Sequence, residues 1–360
     1  MRDVLLVSKP IAPPWTDSNK NLVRDVAGAL TRYRPRVMVP RGVTLPGAVA
    51  EPVYRAAGDY APSRWTNARV LARLLVGPRA SVWHFFFAPN PMTLRAGALA
   101  SRVRRVPTVH TLASAPDNLE AVAPMLFADR LVVLSRHTEA RLAGTGPRVT
   151  RIPPALSPPR VTPDAVARAR ERHGLPRTYV LYPGDLEHSD GALTFVRAAA
   201  RAPGIGWVVA ARPKTPAARE ARENLSRHAA ALGASVVWLG EIDDIHAVVA
   251  GAAVTALVAN TLHAKMDYPL VLLESLALGV PVLVGAGTAA EEIVEAGGAR
   301  AVAPGDDAAL AHAAEALAGD PVGSRAFADS GGAWVRERCS PAAVAAAYEQ
   351  VYDEVLGSRA

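Results

Sequence analysis

Twelve short apolar runs punctuate this chain, and longer Ala-, Leu- and Arg-rich segments at helical spacing separate most of them. In the first half the runs are Val4–Ser8, Arg36–Val39, Ser81–Phe87, Thr108–His110, Leu131–Leu134 and Val149–Ile152. In the second half they are Tyr179–Tyr182, Trp207–Ala211, Val236–Leu239, Val254–Val258, Val282–Val284 and Ala299–Val302. Most are continuously apolar rather than alternating, which reads as strands buried on both faces of a helix-covered parallel sheet. Helices are expected over Asn19–Arg32, Gly191–Arg201, Ala217–Leu232 and Leu270–Leu278. The pattern occurs twice, so the fold class is α/β, with two doubly wound Rossmann-like domains facing a cleft. The join, IPPALSPPRVTP at 152–163, holds five prolines and reads as a semi-rigid connector. The expected domains are 1–155 and 156–340. The last helix, about 341–356, carries Val344, Tyr348, Val351, Tyr352 and Val355 on one face and is expected to pack back onto the first domain.

No apolar run reaches the roughly 18–20 residues a membrane-spanning helix needs. The opening MRDVLLVSKPIAPP reads as a first strand rather than a signal peptide. A single cysteine, Cys339, excludes a disulfide framework and a Cys-based metal site. The expected location is cytoplasmic, with peripheral contact at a membrane as an extension of the charge pattern. The net charge of +7 conceals a split. Residues 1–155 hold 22 basic and 9 acidic residues, a net +13; residues 156–360 hold 18 and 24, a net −6. Excess arginine, 36 against 4 lysines, fits a genome of biased base composition, but that does not explain why the halves differ. The basic half, with Arg102, Arg104 and Arg105 at an expected helix end, suits an anionic partner. No nucleic-acid motif occurs, so nucleic acid is not the expected partner.

The most informative segment is Asp267–Val284, DYPLVLLESLALGVPVLV. Glu274 is the only ionised residue of its expected helix and has mostly apolar neighbours. A desolvated carboxylate needs partners; a ribose diol would supply them, as would backbone amides or an arginine. Gly279 suits the helix C-cap and Pro281 ends the segment. Gly285–Glu292, GAGTAAEE, follows a strand and is expected to open a helix, so the N–H groups around Gly287 and Thr288 would favour a phosphate, or form a plain turn.

This segment resembles the signature of the retaining family-four (group 1) glycosyltransferases of the GT-B fold. In that family two glutamates eight positions apart flank a Gly-rich turn and precede a small-residue helix ending Gly-x-Pro-Val. Glu274, Gly279, Pro281 and Val282 match in spacing. The resemblance implies that Glu274 holds the nucleotide ribose. Eight positions before it stands Met266; Asp267 follows one residue later, with Tyr268-Pro269 in place of the glycines. Asp267 is therefore the expected carboxylate against the donor sugar, in a shifted register. Val109-His110 at a strand end resembles the family's Val-His, which places His110 near the donor sugar; a core or capping histidine is the alternative. Asp129–Ser135, DRLVVLS, resembles the family's strand before the linker, with Ser135 read as the cap of the next helix.

Two departures stand out. Where the family has Gly-Arg-Leu and then Lys-Gly to clamp the diphosphate, this chain has Gly184-Asp185-Leu186 and Asp190-Gly191. Carboxylates there repel a diphosphate. Gly184 is still expected to lie at the donor, with Arg212 or Lys214 of the next loop, or Lys265, replacing the missing cations. The first loop, Pro10–Lys20, is proline-rich where the family often has glycines. Trp15 would stack on an acceptor ring or cover the core edge, and Lys20 ends the same loop. Asp17 or Ser18 would cap the next helix. Trp83–Phe87 reads as a buried strand.

The resemblance implies metal-independent transfer of a sugar from a nucleotide-sugar donor, with retention, in carbohydrate biosynthesis. No cofactor beyond the donor substrate is implied. The acceptor is expected to be anionic or lipid-linked at the inner membrane face, or a soluble small molecule. A GT-B epimerase or phosphorylase lacks its acid/base groups here. A catalytically silent GT-B domain acting as a binding or assembly partner is the alternative from another class.

Overall fold

A computed structural model describes the chain except residues 56–62, 117, 145, 214, 263–264 and 359–360. It divides into two compact units. Unit 1 comprises Met1–Ser157, Ala264–Asp267 and Arg338–Ala360; unit 2 comprises Pro158–His263 and Tyr268–Glu337.

Unit 1 holds seven parallel strands: β1 (Arg2–Ser8), β2 (Tyr33–Pro40), β3 (Val49–Tyr54), β4 (Val82–Phe86), β5 (Thr108–Leu112), β6 (Arg130–Val133) and β7 (Arg148–Arg151). Its early helices are α1 (Ser18–Ala29), α2 (Arg64–Val76), α3 (Pro91–Arg104), α4 (Leu119–Val122) and α5 (Arg136–Arg141). The strand order is β3-β2-β1-β4-β5-β6-β7, so the winding reverses between β1 and β4. The inner strands are buried throughout, as continuous apolar runs require. β3 was not visible as an apolar run because VAEPVY carries Glu51 and Pro52; as an edge strand it tolerates both. Leu74, Ala100, Leu5, Met38, Trp83 and Phe85 form one core cluster, so α2 and α3 cover the same sheet face.

Unit 2 holds α6 (Pro163–His173), β8 (Tyr179–Tyr182), α7 (Gly191–Arg201), β9 (Gly206–Ala210), α8 (Pro216–Ala231), β10 (Val237–Leu239), α9 (Ile245–Ala250), β11 (Val254–Leu257), α10 (Leu270–Ala277), β12 (Val282–Gly285), β13 (Ala299–Val302), α11 (Asp307–Gly319) and α12 (Pro321–Arg338). Its parallel order, β10-β9-β8-β11-β12-β13, reverses between β8 and β11. The helix expected after the GAGT turn is a 3₁₀ helix over Ala289–Ala296.

The last helix, α13 (Pro341–Gly357), belongs to unit 1 and packs against α1 and β5. Val344, Tyr348, Val351, Tyr352 and Val355 are all buried. Glu349 fixes it: its carboxylate accepts from the backbone N–H groups of Thr31 (2.7 Å) and Arg32 (2.6 Å) and pairs with the Arg32 guanidinium at 3.0 Å.

Candidate active site

Open parallel sheets bind ligands beyond the carboxyl ends of their strands, at the point where strand order reverses. In unit 2 that point lies after β8 and β11. The two loops are stapled there: Asp190 N–H donates to Asn260 Oδ1 at 3.2 Å, and Asn260 Nδ2 donates to Asp190 Oδ2 at 3.0 Å. Asp185 Oδ1 accepts from the His188 N–H at 3.0 Å, closing a turn. Both aspartates that depart from the family's cations thus have local structural partners. Glu187 accepts from Thr215 Oγ1 at 2.6 Å, tying this loop to the cap of α8. Gly184 lies on the Tyr182 ring: a Cβ there would fall 2.3 Å from a ring carbon, so no larger residue fits this loop as built.

Glu274 lies on α10 and is not fully enclosed; 14% of its side chain is exposed. Its Oε1 lies 3.3 Å from His246 Nε2 on α9. That contact raises the His246 pKa above its usual value, the hydrogen bond outweighing burial. His246 escaped sequence reasoning. Its signal was slight: it is the only titratable group in the apolar run IHAVVA.

The turn after β12 is shaped by Gly287, whose φ of +77° favours glycine. Gly287 N–H donates to Glu291 Oε2 at 2.7 Å, and Thr288 Oγ1 donates to the Gly285 carbonyl at 2.8 Å. Arg212 follows β9 and pairs with Glu241 at 2.7 Å. The pair is partly exposed and worth little to stability. Lys214 lies outside the described residues. Lys265 falls in the 264–267 segment that belongs to unit 1.

In unit 1, Asp17 caps α1, accepting from the Asn19 and Lys20 N–H groups, and pairs with Lys9. Lys20 Nζ donates to the Ala12 carbonyl at 3.4 Å. Trp15 is half-buried, and the Arg24 guanidinium covers its ring at 4.9 Å. Loop residues that sequence reasoning offered to an acceptor thus also hold the loop itself together.

His110 is fully buried, with the Phe85, Phe87 and Phe127 rings around it. Its Nε2 lies 2.9 Å from the Phe87 carbonyl, which only accepts, so Nε2 carries the proton. Nδ1 is then a bare acceptor, with no hydrogen-bond partner among the described residues. Burial lowers the His110 pKa to about 4, so the ring is neutral at pH 7. Asp267 is also buried, and burial raises its pKa. Ser135 Oγ donates to its Oδ2 at 2.6 Å, and its N–H donates to the Ala113 carbonyl at 3.0 Å. Ser135 is also the cap of α5, accepting from the Thr138 N–H at 3.0 Å.

Residues 177–320 match the family model of group 1 glycosyl transferases. The chain carries a group 1 glycosyltransferase domain. Solved structures extend the likeness of this glycosyltransferase to both units. HepE from Anabaena, solved with UDP and glucose, is 16% identical, with 98% of this chain and 100% of that chain covered at a TM-score of 0.78. Sucrose-phosphate synthase from Thermosynechococcus elongatus is 20% identical, with 99% and 100% covered and a TM-score of 0.77. The trehalose-6-phosphate synthase OtsA is 13% identical, with 98% and 99% covered and a TM-score of 0.72. At such identities these neighbours establish the fold, two parallel-sheet Rossmann-like domains of the GT-B class. Comparison with curated proteins finds no significant match. Among the described residues of the glycosyltransferase, no group of three or more His, Cys, Asp and Glu side chains is arranged to hold a metal ion. No helix of the described residues is long and apolar enough to cross a membrane.

Proposed function

We propose that this glycosyltransferase moves a sugar from a uridine-diphosphate sugar to an anionic acceptor, with retention of configuration. The observation that carries the reading is Glu274. It is a partly buried carboxylate inside the group 1 domain, and among the described residues its side chain is held by His246, which a ribose diol can replace. Two hydroxyls donating to one carboxylate are charge-assisted hydrogen bonds, the strong kind. The uridine choice rests on HepE, which has been solved with UDP and with UDP-glucose.

The diphosphate is assigned to the Gly184 loop and the Gly287-Thr288 turn, with Arg212, Lys214 and Lys265 as candidate cations. His110 and Asp267 are assigned to the donor sugar. His110 is enclosed by the Phe85, Phe87 and Phe127 rings, so its unpartnered Nδ1 meets a sugar hydroxyl only when the Phe87 side of that shell opens. A neutral ring suits that task at pH 7. Asp267 would accept from a second hydroxyl and stabilise the positive charge that develops at the anomeric carbon. In the reaction the anomeric C–O bond to the diphosphate breaks and its electrons leave with UDP. The acceptor hydroxyl bonds to the same carbon, and its proton passes to the departing phosphate oxygen. Trp15 and Lys20 are assigned to the acceptor, in keeping with the net +13 of the first 155 residues.

The family match does not favour the catalytically silent alternative. A donor screen tests the proposal: UDP-glucose and other sugar nucleotides are incubated with the protein, and release of free nucleotide is measured. Slow hydrolysis of a UDP-sugar, lost in Glu274→Ala, is expected. No release from any donor, with no nucleotide binding, would overturn it.

A further inference from the structure

We propose that the outer face of α2 and α3 in unit 1 docks on an anionic lipid bilayer. This inference is independent of the donor reading, because none of its residues is assigned to the donor. Residues 64–105 contain eight arginines and no aspartate or glutamate. The two helices pack against each other over one sheet face. Arg104 locks them together by donating to the Leu75 carbonyl at 2.6 Å and the Gly77 carbonyl at 2.9 Å. Arg73 is held by Glu51. Arg95, Arg102 and Arg105 are exposed and have no carboxylate partner among the described residues.

The apolar side chains decide the kind of anion. Trp65 (83% exposed), Val76 (82%), Met92 (56%), Leu99 (58%) and Val103 (62%) stand in water on these helices. Five of the nine large exposed hydrophobic residues described thus lie on two of the helices. On α3 they keep helical register with the arginines: 92, 95, 99, 102 and 103 form one stripe. On α2, 65, 68, 72 and 76 do the same, with alanines between the larger residues. Arginines interspersed with Trp, Leu, Met and Val match an interfacial surface. The guanidinium groups meet lipid phosphates while the apolar side chains enter the headgroup layer. A nucleic acid would use the charge and leave the aliphatic side chains in water. A cavity of about 350 Å³ shares Arg102 and Arg105 with this face, but Asp129 on its wall disfavours a phosphate, so the proposal rests on the surface.

The test is co-sedimentation of the full chain with vesicles of phosphatidylcholine alone and with roughly one third phosphatidylglycerol. The first variant is Trp65→Ser with Leu99→Ser, and the second is Arg95→Gln with Arg102→Gln. All four sites are exposed, so melting temperatures should hold and confirm folding. Wild type should bind the anionic vesicles at least tenfold better than the neutral ones, less so in high salt. Each double variant should lose at least tenfold. Equal or absent binding to both vesicles would overturn the proposal, as would undiminished binding by both variants. So would loss of self-association in the variants on size-exclusion chromatography without loss of vesicle binding, which would make the face a contact between copies.

Discussion

His110 and Asp267 of unit 1 are buried, with their charged forms disfavoured by desolvation, whereas Glu274 and Arg212 of unit 2 are partly exposed and paired with a histidine and a carboxylate. Asp267 and Glu274 show the contrast at a separation of seven residues. Asp267 is enclosed, accepts from the Ser135 hydroxyl, and has its pKa raised by burial. Glu274 keeps some exposure and faces a histidine whose pKa it raises. The histidines follow the same division. His84, bonded to Tyr352 Oη and Thr111 Oγ1 at 2.7 Å each, and His110 are driven neutral by desolvation; His246 is drawn toward the cation. Two sheets wound in the same order therefore offer different chemistry at their ends. Unit 1 presents a neutral histidine and a carboxylate held at an energetic cost, and unit 2 presents partly exposed ion pairs.

The largest expected effect separates the two carboxylates. Asp267→Asn keeps an acceptor for Ser135 but removes the charge, so kcat should fall about a hundredfold or more while KM changes little. Its melting temperature should hold or rise, because the folded state pays to ionise this group. An unchanged kcat would break the division of labour.

Acid stability comes next. A buried histidine with its pKa lowered from 6.5 to about 4 contributes stability above pH 6.5 that is lost as pH falls toward 4. The full shift corresponds to roughly 3 kcal/mol. His84 acts in the same direction, while Asp267 acts oppositely, since its raised pKa costs stability as pH rises through it. Urea unfolding at pH 7 and pH 4.5 should show the loss, and His110→Gln should flatten it. An equally steep profile in the variant would place the acid sensitivity elsewhere.

In unit 2, Glu274→Ala should weaken nucleotide-diphosphate binding at least tenfold, the worth of charge-assisted hydrogen bonds. It should also return the His246 pKa toward 6.5, visible in the proton chemical shifts of the ring. The ion pair's contribution to stability is complete below pH 6.5 and fades as pH rises through the raised value. A smaller effect tests the cations: among Arg212→Ala, Lys214→Ala and Lys265→Ala, at least one should weaken the same binding about tenfold. Unchanged affinity in all three would remove the replacement-clamp idea.

The sheets were legible because their strands are continuous apolar runs, and Tyr179–Tyr182 and Ala299–Val302 match residue for residue. β3 was not, since its Glu51 and Pro52 break any apolar pattern while an edge position tolerates them. A helix after the Gly285–Thr288 turn was legible from its place behind a strand, but its 3₁₀ form was not. The motif around Glu274 was legible in spacing, but its His246 partner was not, because α9 and α10 meet only through the fold. The staple between Asp190 and Asn260 was hidden for the same reason, which made Asp190 look like a mere lost cation. The exposed stripe on α2 and α3 was invisible because Leu, Val and Trp on a helix read as core.

The proposed donor chemistry depends on Glu274 anchoring a uridine-diphosphate sugar in unit 2. The most direct test is the melting temperature of the protein with UDP, GDP, ADP, dTDP and CDP in turn, beside Glu274→Ala. A ligand at about a hundred times its Kd stabilises the state that binds it by roughly 2.7 kcal/mol. A clear upward shift with UDP above the other nucleotides, lost in the variant, is expected. No shift with any nucleotide, or a UDP shift undiminished in Glu274→Ala, would contradict it.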